Sequence, residues 1–519
     1  MGGTSDLKGN GLAPHDMYTT NYRQGYTFYD ITENKSQQVS FAGTHKLSNE
    51  EKLSLTTWYR HAKRKGNNGD VNDDYLQACL SNAGCSGDNA AINKNESTQN
   101  SYGVTFQWDK QVGLHRILSG LTAQQSRTNY QQSEGDTTFT GRVAQQTDDF
   151  TLQADHKGQV TQYSIFVGDV FTPTSGTLFS SAIRYDYAKV SNSLRSRTNY
   201  SDLVLGTPGY PVANYMPSDA EHEAFTYKKL NPSFGFSQLL NKQVTVFGNW
   251  SQGMRVPTAF ELGCADEANP CRVPTGLQDD PYLKPVISQT AEIGFRLFPT
   301  DKTKITFAAF HNVNKDDIAF VRVNGSQAEG IFKNIGKTQR DGLEVTARHR
   351  EARWELGASY TYLKARYKSS LNLPSLDDEI AITPGARIAG LPEHFFKFAA
   401  MYRVTPQVRF GGDVQLYGSQ VVAGNENGTA HGEADEAVGK DKLAGYGILN
   451  LNANYEYVKG LNFFVRVNNV FDKKYASYAT LGYNMFPGGV ITSSAPDASV
   501  FYAPGAPRAV FGGVRYEWK

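Results

Sequence analysis

The chain contains no unbroken apolar run near the ~20 residues that a membrane-spanning helix needs, and its mean hydropathy is −0.49. A helical membrane protein is thereby excluded. Cysteine is scarce, with four in 519 residues, arranged as two close pairs, Cys79 with Cys85 and Cys264 with Cys271. Neither pair has the CxxC spacing expected of a zinc or redox site. Both lie in polar, turn-rich segments, so they read as small disulfide-closed loops in an oxidising compartment, with metal binding as the alternative. Charge of one sign is also missing. The 52 Lys and Arg nearly balance the 51 Asp and Glu, leaving a net charge of +1, which gives no electrostatic reason to invoke nucleic acid. A nucleophile with its base, a phosphate loop and a zinc constellation are all lacking, so neither an enzyme nor a cofactor is expected.

What the chain has instead is alternation. In Leu449, Leu451, Ala453, Tyr455 and Tyr457 every second residue is apolar or aromatic, and Asn450, Asn452, Asn454 and Glu456 fill the gaps. Side chains of a strand point to opposite faces in turn, so one face is apolar and the other polar. Val458–Gly460 turns the chain, and Leu461 to Val467 repeats the pattern with Asn462 and Arg466 on the polar side. Trp354 to Leu363 does the same. Written along most of the chain, this pattern predicts an all-β, antiparallel transmembrane β-barrel with a wet interior. An aromatic content of 12% suits the girdles of such a barrel, and 49 Gly suit its turns and close approaches.

The connections alternate as well. Tight ones are expected at Ser48–Glu51, Gln111–Leu114, Asn241–Gln243, Pro299–Lys302, Glu351–Arg353, Thr405–Gln407 and Val458–Gly460. Long polar ones are expected at about 63–100, 126–160, 192–224, 254–284, 364–389, 420–443 and 479–506. Short periplasmic turns and long outer loops are the asymmetry of bacterial outer-membrane barrels. In the last strand Val514, Tyr516 and Trp518 share the outward face, while Arg515 and Glu517 face the lumen. About seventeen strands are expected in all.

Several motifs then resemble one family, the TonB-dependent outer-membrane receptors. Arg466–Tyr475 (RVNNVFDKKY) is similar to the signature of their penultimate strand, and Trp250–Leu262 (WSQGMRVPTAFEL) to another conserved-looking family segment. Leu283–Arg296, Asn334–Glu344 (NIGKTQRDGLE), Gly390–His394 (GLPEH) and Pro504–Arg508 (PGAPR) follow in family order. The resemblance implies a family-typical barrel of 22 strands with an N-terminal plug, located in the outer membrane. It also implies uptake of a metal chelate, foremost a ferric siderophore, with haem or another metal complex as the alternative. An inner-membrane TonB partner is implied only where a plug is present. A passive channel or a non-functional truncated remnant is the reading from another class.

Residues 1–40 match no plug or export signal, so they are expected to form an extracellular loop or a poorly ordered segment, with the barrel at 41–519 and the first family strands absent. An odd strand count would place residue 1 outside the cell. Ligand contacts are expected on the long loops. Candidates among charged residues of the long loops are Arg255 and, at the Cys264–Cys271 loop, Asp266, Glu267 and Arg272; the resemblance makes anionic chelates the ligands, which points also to Arg60 and Arg64 of the basic stretch Arg60–Lys65. His431, or His222, is the candidate for reaching a haem iron. Each of these residues also has a plain reading as a solvated loop side chain, and no metal site is expected.

Overall fold

The computed structural model describes residues 2–8, 11–28, 30–81, 84–196, 198–199, 214–215, 221–262, 271–272, 283–322, 329–376, 379–428 and 442–517. Its main sheet has 18 strands. The first nine are β1 (Gly2–Lys8), β2 (Ile31–Lys46), β3 (Glu51–Val71), β4 (Ala90–Val112), β5 (His115–Thr137), β6 (Thr151–Thr174), β7 (Thr177–Ser196), β8 (Glu221–Asn241) and β9 (Val244–Arg255). The rest are β10 (Val286–Thr300), β11 (Thr303–Lys315), β12 (Thr338–Arg350), β13 (Trp354–Tyr367), β14 (His394–Arg403), β15 (Val408–Tyr417), β16 (Tyr446–Val458), β17 (Leu461–Asn468) and β18 (Ala509–Tyr516). Every strand pairs antiparallel with its neighbour in sequence. The result is an up-and-down meander whose connections fall alternately at two ends.

Cross-strand register confirms the dyad pattern. Leu449 faces Val414, Leu451 faces Val467, and Tyr455 faces Val408 and Phe463, so apolar side chains stack on one face of neighbouring strands. That face is the outside: Leu121 and Ile165 are each 55% exposed and Phe234 57%, which is tolerable only against lipid. The opposite face carries Asn450, Asn452 and Asn454, with Arg515 and Glu517 ion-paired at 2.8 Å. A repeated device holds this inner wall flat. Trp58, Phe166, Phe247, Phe310 and Phe464 each lie over the glycine directly opposite, respectively Gly103, Gly120, Gly294, Gly342 and Gly513. A Cβ at any of these glycines would collide with the covering ring.

The seven expected tight turns all lie at one end, between the strands named. At the other end the strands run on farther than their alternation suggests. β3 has 21 residues, β4 and β5 have 23 and β6 has 24, roughly twice the ~9–11 that cross a bilayer. The long connection expected at 63–100 is therefore only 72–89, and that expected at 126–160 is 138–150. Polar residues such as Gln124 and Asn129 are ladder members here because hydrogen-bonded pairing, once started, needs no apolar face above the membrane.

The expectation for residues 1–40 is also corrected. Ile31 to Tyr516 supplies seventeen of the main-sheet strands, and Gly2–Lys8 adds one more by pairing with Ile31–Gln37. Because Gly2 is level with Gln37, nine residues short of the tight turn that follows Lys46, β1 extends only the long-loop half of the sheet. Only the segment between β1 and β2 is an outer connection. Trp518 lies outside the described residues.

That segment joins the two ends of the meander. Ala13 and Pro14 pair with Tyr502 and Phe501 of the connection between β17 and β18. Helix α1 (His15–Asn21) sets Met17 into a core with Tyr26, Met485, Phe486 and Phe501. Tyr75 and Cys79, on α2 (Asp73–Leu80), complete this core. Among the described residues no backbone ladder joins β1 to β18. Side-chain packing thus joins the connection after β1 to the connection before β18 at the long-loop end.

Candidate functional site

At the outer end the inner wall carries four aromatic side chains on successive elements. Phe395, Tyr417 and Tyr446 sit on the lumen face of β14, β15 and β16, each one residue out of phase with the lipid-facing Phe396, Leu416 and Gly447. Tyr475 follows in the loop after β17. Ring centroids are 4.7 Å apart from Phe395 to Tyr417, 4.7 Å from Tyr417 to Tyr446 and 4.3 Å from Tyr446 to Tyr475. All four are half-buried, so their edges remain open to the lumen. A second group continues from the N-terminal segment. Tyr18 stacks on Tyr502 at 4.7 Å and meets Tyr22 edge-on at 6.4 Å. Cationic groups gather at Tyr22: the Arg23 guanidinium lies 5.7 Å and the Lys474 ammonium 5.6 Å from its ring.

Across the mouth, a short helix α3 (Ala259–Leu262) folds onto the inner face of β6, β7 and β8. Val256, Ala259, Leu262 and Leu283 pack against Ala188, Val190 and Tyr227. Its start is a capping box: the Thr258 N–H donates to Glu261 at 2.8 Å and the Glu261 N–H to Thr258 at 3.0 Å. Buried His156 and Asn192 lie beneath it, and the Asn192 amide donates to the Ala259 carbonyl at 3.1 Å. Phe260 projects between Tyr130, at 5.8 Å, and Phe332, at 6.1 Å. Burial pushes the Tyr130 hydroxyl up to about 12, and the nearby Arg64 cation acts in the opposite direction.

The expected site residues separate on this frame. Arg60 and Arg64 are strand residues of β3, not loop residues, and point into the lumen opposite Ser101 and Ser97. Arg255 is bound in an ion pair with Glu261 at 2.8 Å, which fixes the start of α3. Asp266, Glu267, His431 and Cys264 lie outside the described residues. Arg272 pairs through its backbone with Glu329. The Cys79–Cys85 disulfide is formed, with its Cα atoms 4.3 Å apart. His222 lies in β8.

The motifs prove to be joints between loops. Asp472 of RVNNVFDKKY accepts the Arg508 N–H of PGAPR at 2.8 Å and the Arg23 guanidinium at 2.7 Å; these donors hold its carboxyl below the usual carboxylate range. Asn469, in a left-handed conformation with φ 48°, receives the Lys473 N–H and donates to Ala506. Gly505 lies flush against the Tyr475 ring. The two motifs thus hold Tyr475 at the end of the aromatic row. That row was readable only as an anomaly: Tyr417, Tyr446 and Phe395 are aromatics in the polar phase of their strands, in step with Asp413, Asn450 and Lys397.

Two further groups face the lumen. Glu426 is largely buried near Tyr367 and Tyr478, and burial pushes its carboxyl up to about 7. Lower down, Lys304, Arg348 and Lys397 line one hollow together with Asp413 and Asn452. Among the described residues no cluster of three His, Cys, Asp or Glu converges as a metal site.

A family model described as "TonB dependent receptor-like, beta-barrel" matches residues 2–470. The Catecholate siderophore receptor Fiu of Escherichia coli (strain K12) is 24% identical over 338 residues, which is 64% of this chain and 41% of Fiu. The Ferrioxamine receptor of Yersinia enterocolitica is 26% identical over 203 residues, 38% of this chain and 26% of that receptor. Among solved structures, the ferric-catecholate import receptor Fiu from E. coli K12 in its closed form superposes with a TM-score of 0.65 at 17% identity, covering 98% of this chain and 70% of that one. The ferric citrate transporter FecA gives a TM-score of 0.64 at 15% identity, covering 98% and 66%. These likenesses show the fold, and the chain spans about two fifths of the length of its curated Fiu relative. Since the matched model covers the meander from β1 to the start of the last long loop, the chain belongs to the TonB-dependent receptors, a family of outer-membrane transporters rather than enzymes, through their β-barrel domain.

Proposed function

We propose that the barrel serves energised uptake of a ferric siderophore whose iron-binding arms are flat and aromatic. The observation that carries this reading is the Phe395–Tyr417–Tyr446–Tyr475 row, with Tyr22 and its two cations at its end. A ferric catecholate has aromatic faces that stack on such a row, and its negative charge is attracted by Lys474 and the inner-wall Arg64. The name of one curated relative, a catecholate siderophore receptor, supports the same chemistry. Transport itself is assigned to the whole receptor, with an inner-membrane TonB partner acting on its plug.

Titrating the receptor with a ferric catecholate, ferric citrate and haem tests the reading. The expected result is preference for the catecholate, with Tyr446→Ala and Tyr475→Ala each weakening it about tenfold, the scale of one lost aromatic contact. Equal binding of all three ligands, or variants that bind as the parent does, would overturn it.

A further inference from the structure

The lumen hollow below the aromatic row has a charge arrangement that the barrel wall itself does not need. Lys304 on β11 stands directly opposite Arg348 on β12, and Thr306 stands opposite Thr346. Side chains so opposed have Cβ atoms roughly 5 Å apart, where like charges repel. Two cations are thus set against each other with two hydroxyls alongside. Among the described residues neither cation is ion-paired and neither hydroxyl has a hydrogen-bond partner. Lys304 meets only the Phe298 ring, at 6.0 Å. Neighbouring cations behave otherwise: Lys302 is paired with Glu351 and Arg350 with Glu355, each at 3.0 Å.

Beyond Arg348 the wall drops away. The next positions in the same row are Gly357 on β13 and Ala399 on β14, and a Cβ at Gly357 would meet nothing within 4 Å. The hollow so left measures about 930 Å³. Ser359 and Lys397, opposite each other on β13 and β14, bound it on the side of the mouth. Lys397 is two residues below Phe395 on β14, roughly 7 Å along the strand. Lys304 is the second residue of β11, beside a tight turn. The hollow therefore runs from the foot of the aromatic row to the tight-turn end of the wall.

Two carboxylates on this face remain free of cations. Asp413 uses Oδ2 to accept the Gln415 and Asn450 amides at 2.7 Å and 3.0 Å; it stands three strands from Arg348, roughly 14 Å. Glu344 stands four residues from Arg348 along β12, roughly 13 Å. Both flank the hollow, so an anion is drawn to its Lys304–Arg348 side.

We propose that this hollow is a second binding site for the anionic chelate, in which a negatively charged oxygen lies between Lys304 and Arg348 and accepts from the Thr306 and Thr346 hydroxyls. An anion there turns a repulsive pair into two charge-assisted contacts, and the arginine fork suits the paired oxygens of a catecholate or a carboxylate. Lys397 lies between the aromatic row and this pair, so a chelate leaving the row meets positive charge on its way down. The inference rests on the anionic ligand proposed above and gives that ligand a place below the mouth.

The test is calorimetric titration of the purified full chain in detergent with the ferric tris-catecholate anion, at low and high ionic strength. The parent is expected to bind in two steps, the tighter at the aromatic row and the weaker in the hollow. K304Q/R348Q should weaken the second step about tenfold or more and leave the first; Y446A/Y475A should do the reverse. K302Q removes a cation already neutralised by Glu351 and should change neither step. Added salt should weaken the second step more than the first, because screening acts on charge and not on ring stacking. Unchanged circular dichroism and heat-modified gel mobility establish that the variants are folded. A single step in the parent, or a second step undiminished in K304Q/R348Q, would overturn the proposal. Failure of the aromatic reading shows elsewhere, as a first step that Y446A/Y475A leaves untouched.

Discussion

Single residues in this barrel report on how dry the outer mouth is. Glu426 carries a carboxyl raised from 4.5 to about 7 because burial disfavours its charge. A raised carboxyl means that the folded loop binds the extra proton. Its contribution to stability is complete below pH 4.5 and is lost as pH climbs through 7. Exchange of the amides around Gln420–Gly428, corrected for intrinsic rate, should therefore be slower at pH 5 than at pH 8, and Glu426→Gln should erase the difference. An unchanged pH dependence in that variant would show that another group sets it. In the sequence Glu426 is simply one acid among several, with Glu433, Asp435 and Glu436 close behind it. Its burial follows from Tyr367 and Tyr478, which approach from 59 and 52 positions away in the chain, and no local pattern announces such a meeting.

Among elements, the recurrent ring-over-glycine pairs give the inner wall its smooth packing. Gly342 tests their weight. A methyl there would meet the Phe310 ring and the Tyr362 carbonyl, whereas one at Gly357 on the neighbouring strand would meet nothing within 4 Å. Gly342→Ala is expected to lower stability by about 1–3 kcal/mol, the usual range for overpacking, read as a lower urea midpoint in lipid. Gly357→Ala should remain within about 0.5 kcal/mol of the parent. Equal midpoints for the two variants would show that the wall yields without cost. Strand positions and tight turns were legible in the sequence because lipid on one side and water on the other impose period two. Strand ends were not: above the bilayer both faces are wet, so β3 to β6 continue for many residues without an apolar signature, and Arg60 and Arg64 pass for loop residues.

For the whole molecule, the order of the strands follows directly from the alternation of long and short connections, and family membership from motifs that lock the loops behind β17. The first strand escaped detection because GGTSDLK has neither alternation nor aromatics; it is ordered by pairing with β2. The join between the ends of the meander was equally hidden, since it brings Met17 and Tyr26 against Met485 and Phe486 over nearly the full length of the chain. Beneath all of this lies one physical division, lipid outside and water within. Single cysteines placed in turn at Leu449 through Tyr455, with the four native cysteines replaced by serine, can carry nitroxide labels in a reconstituted bilayer. Labels at Leu449, Leu451, Ala453 and Tyr455 should be reached by oxygen dissolved in lipid, and those at Asn450, Asn452 and Asn454 by a water-soluble nickel chelate, in strict alternation. Uniform accessibility along the segment, or the opposite phase, would contradict a membrane barrel with an aqueous lumen.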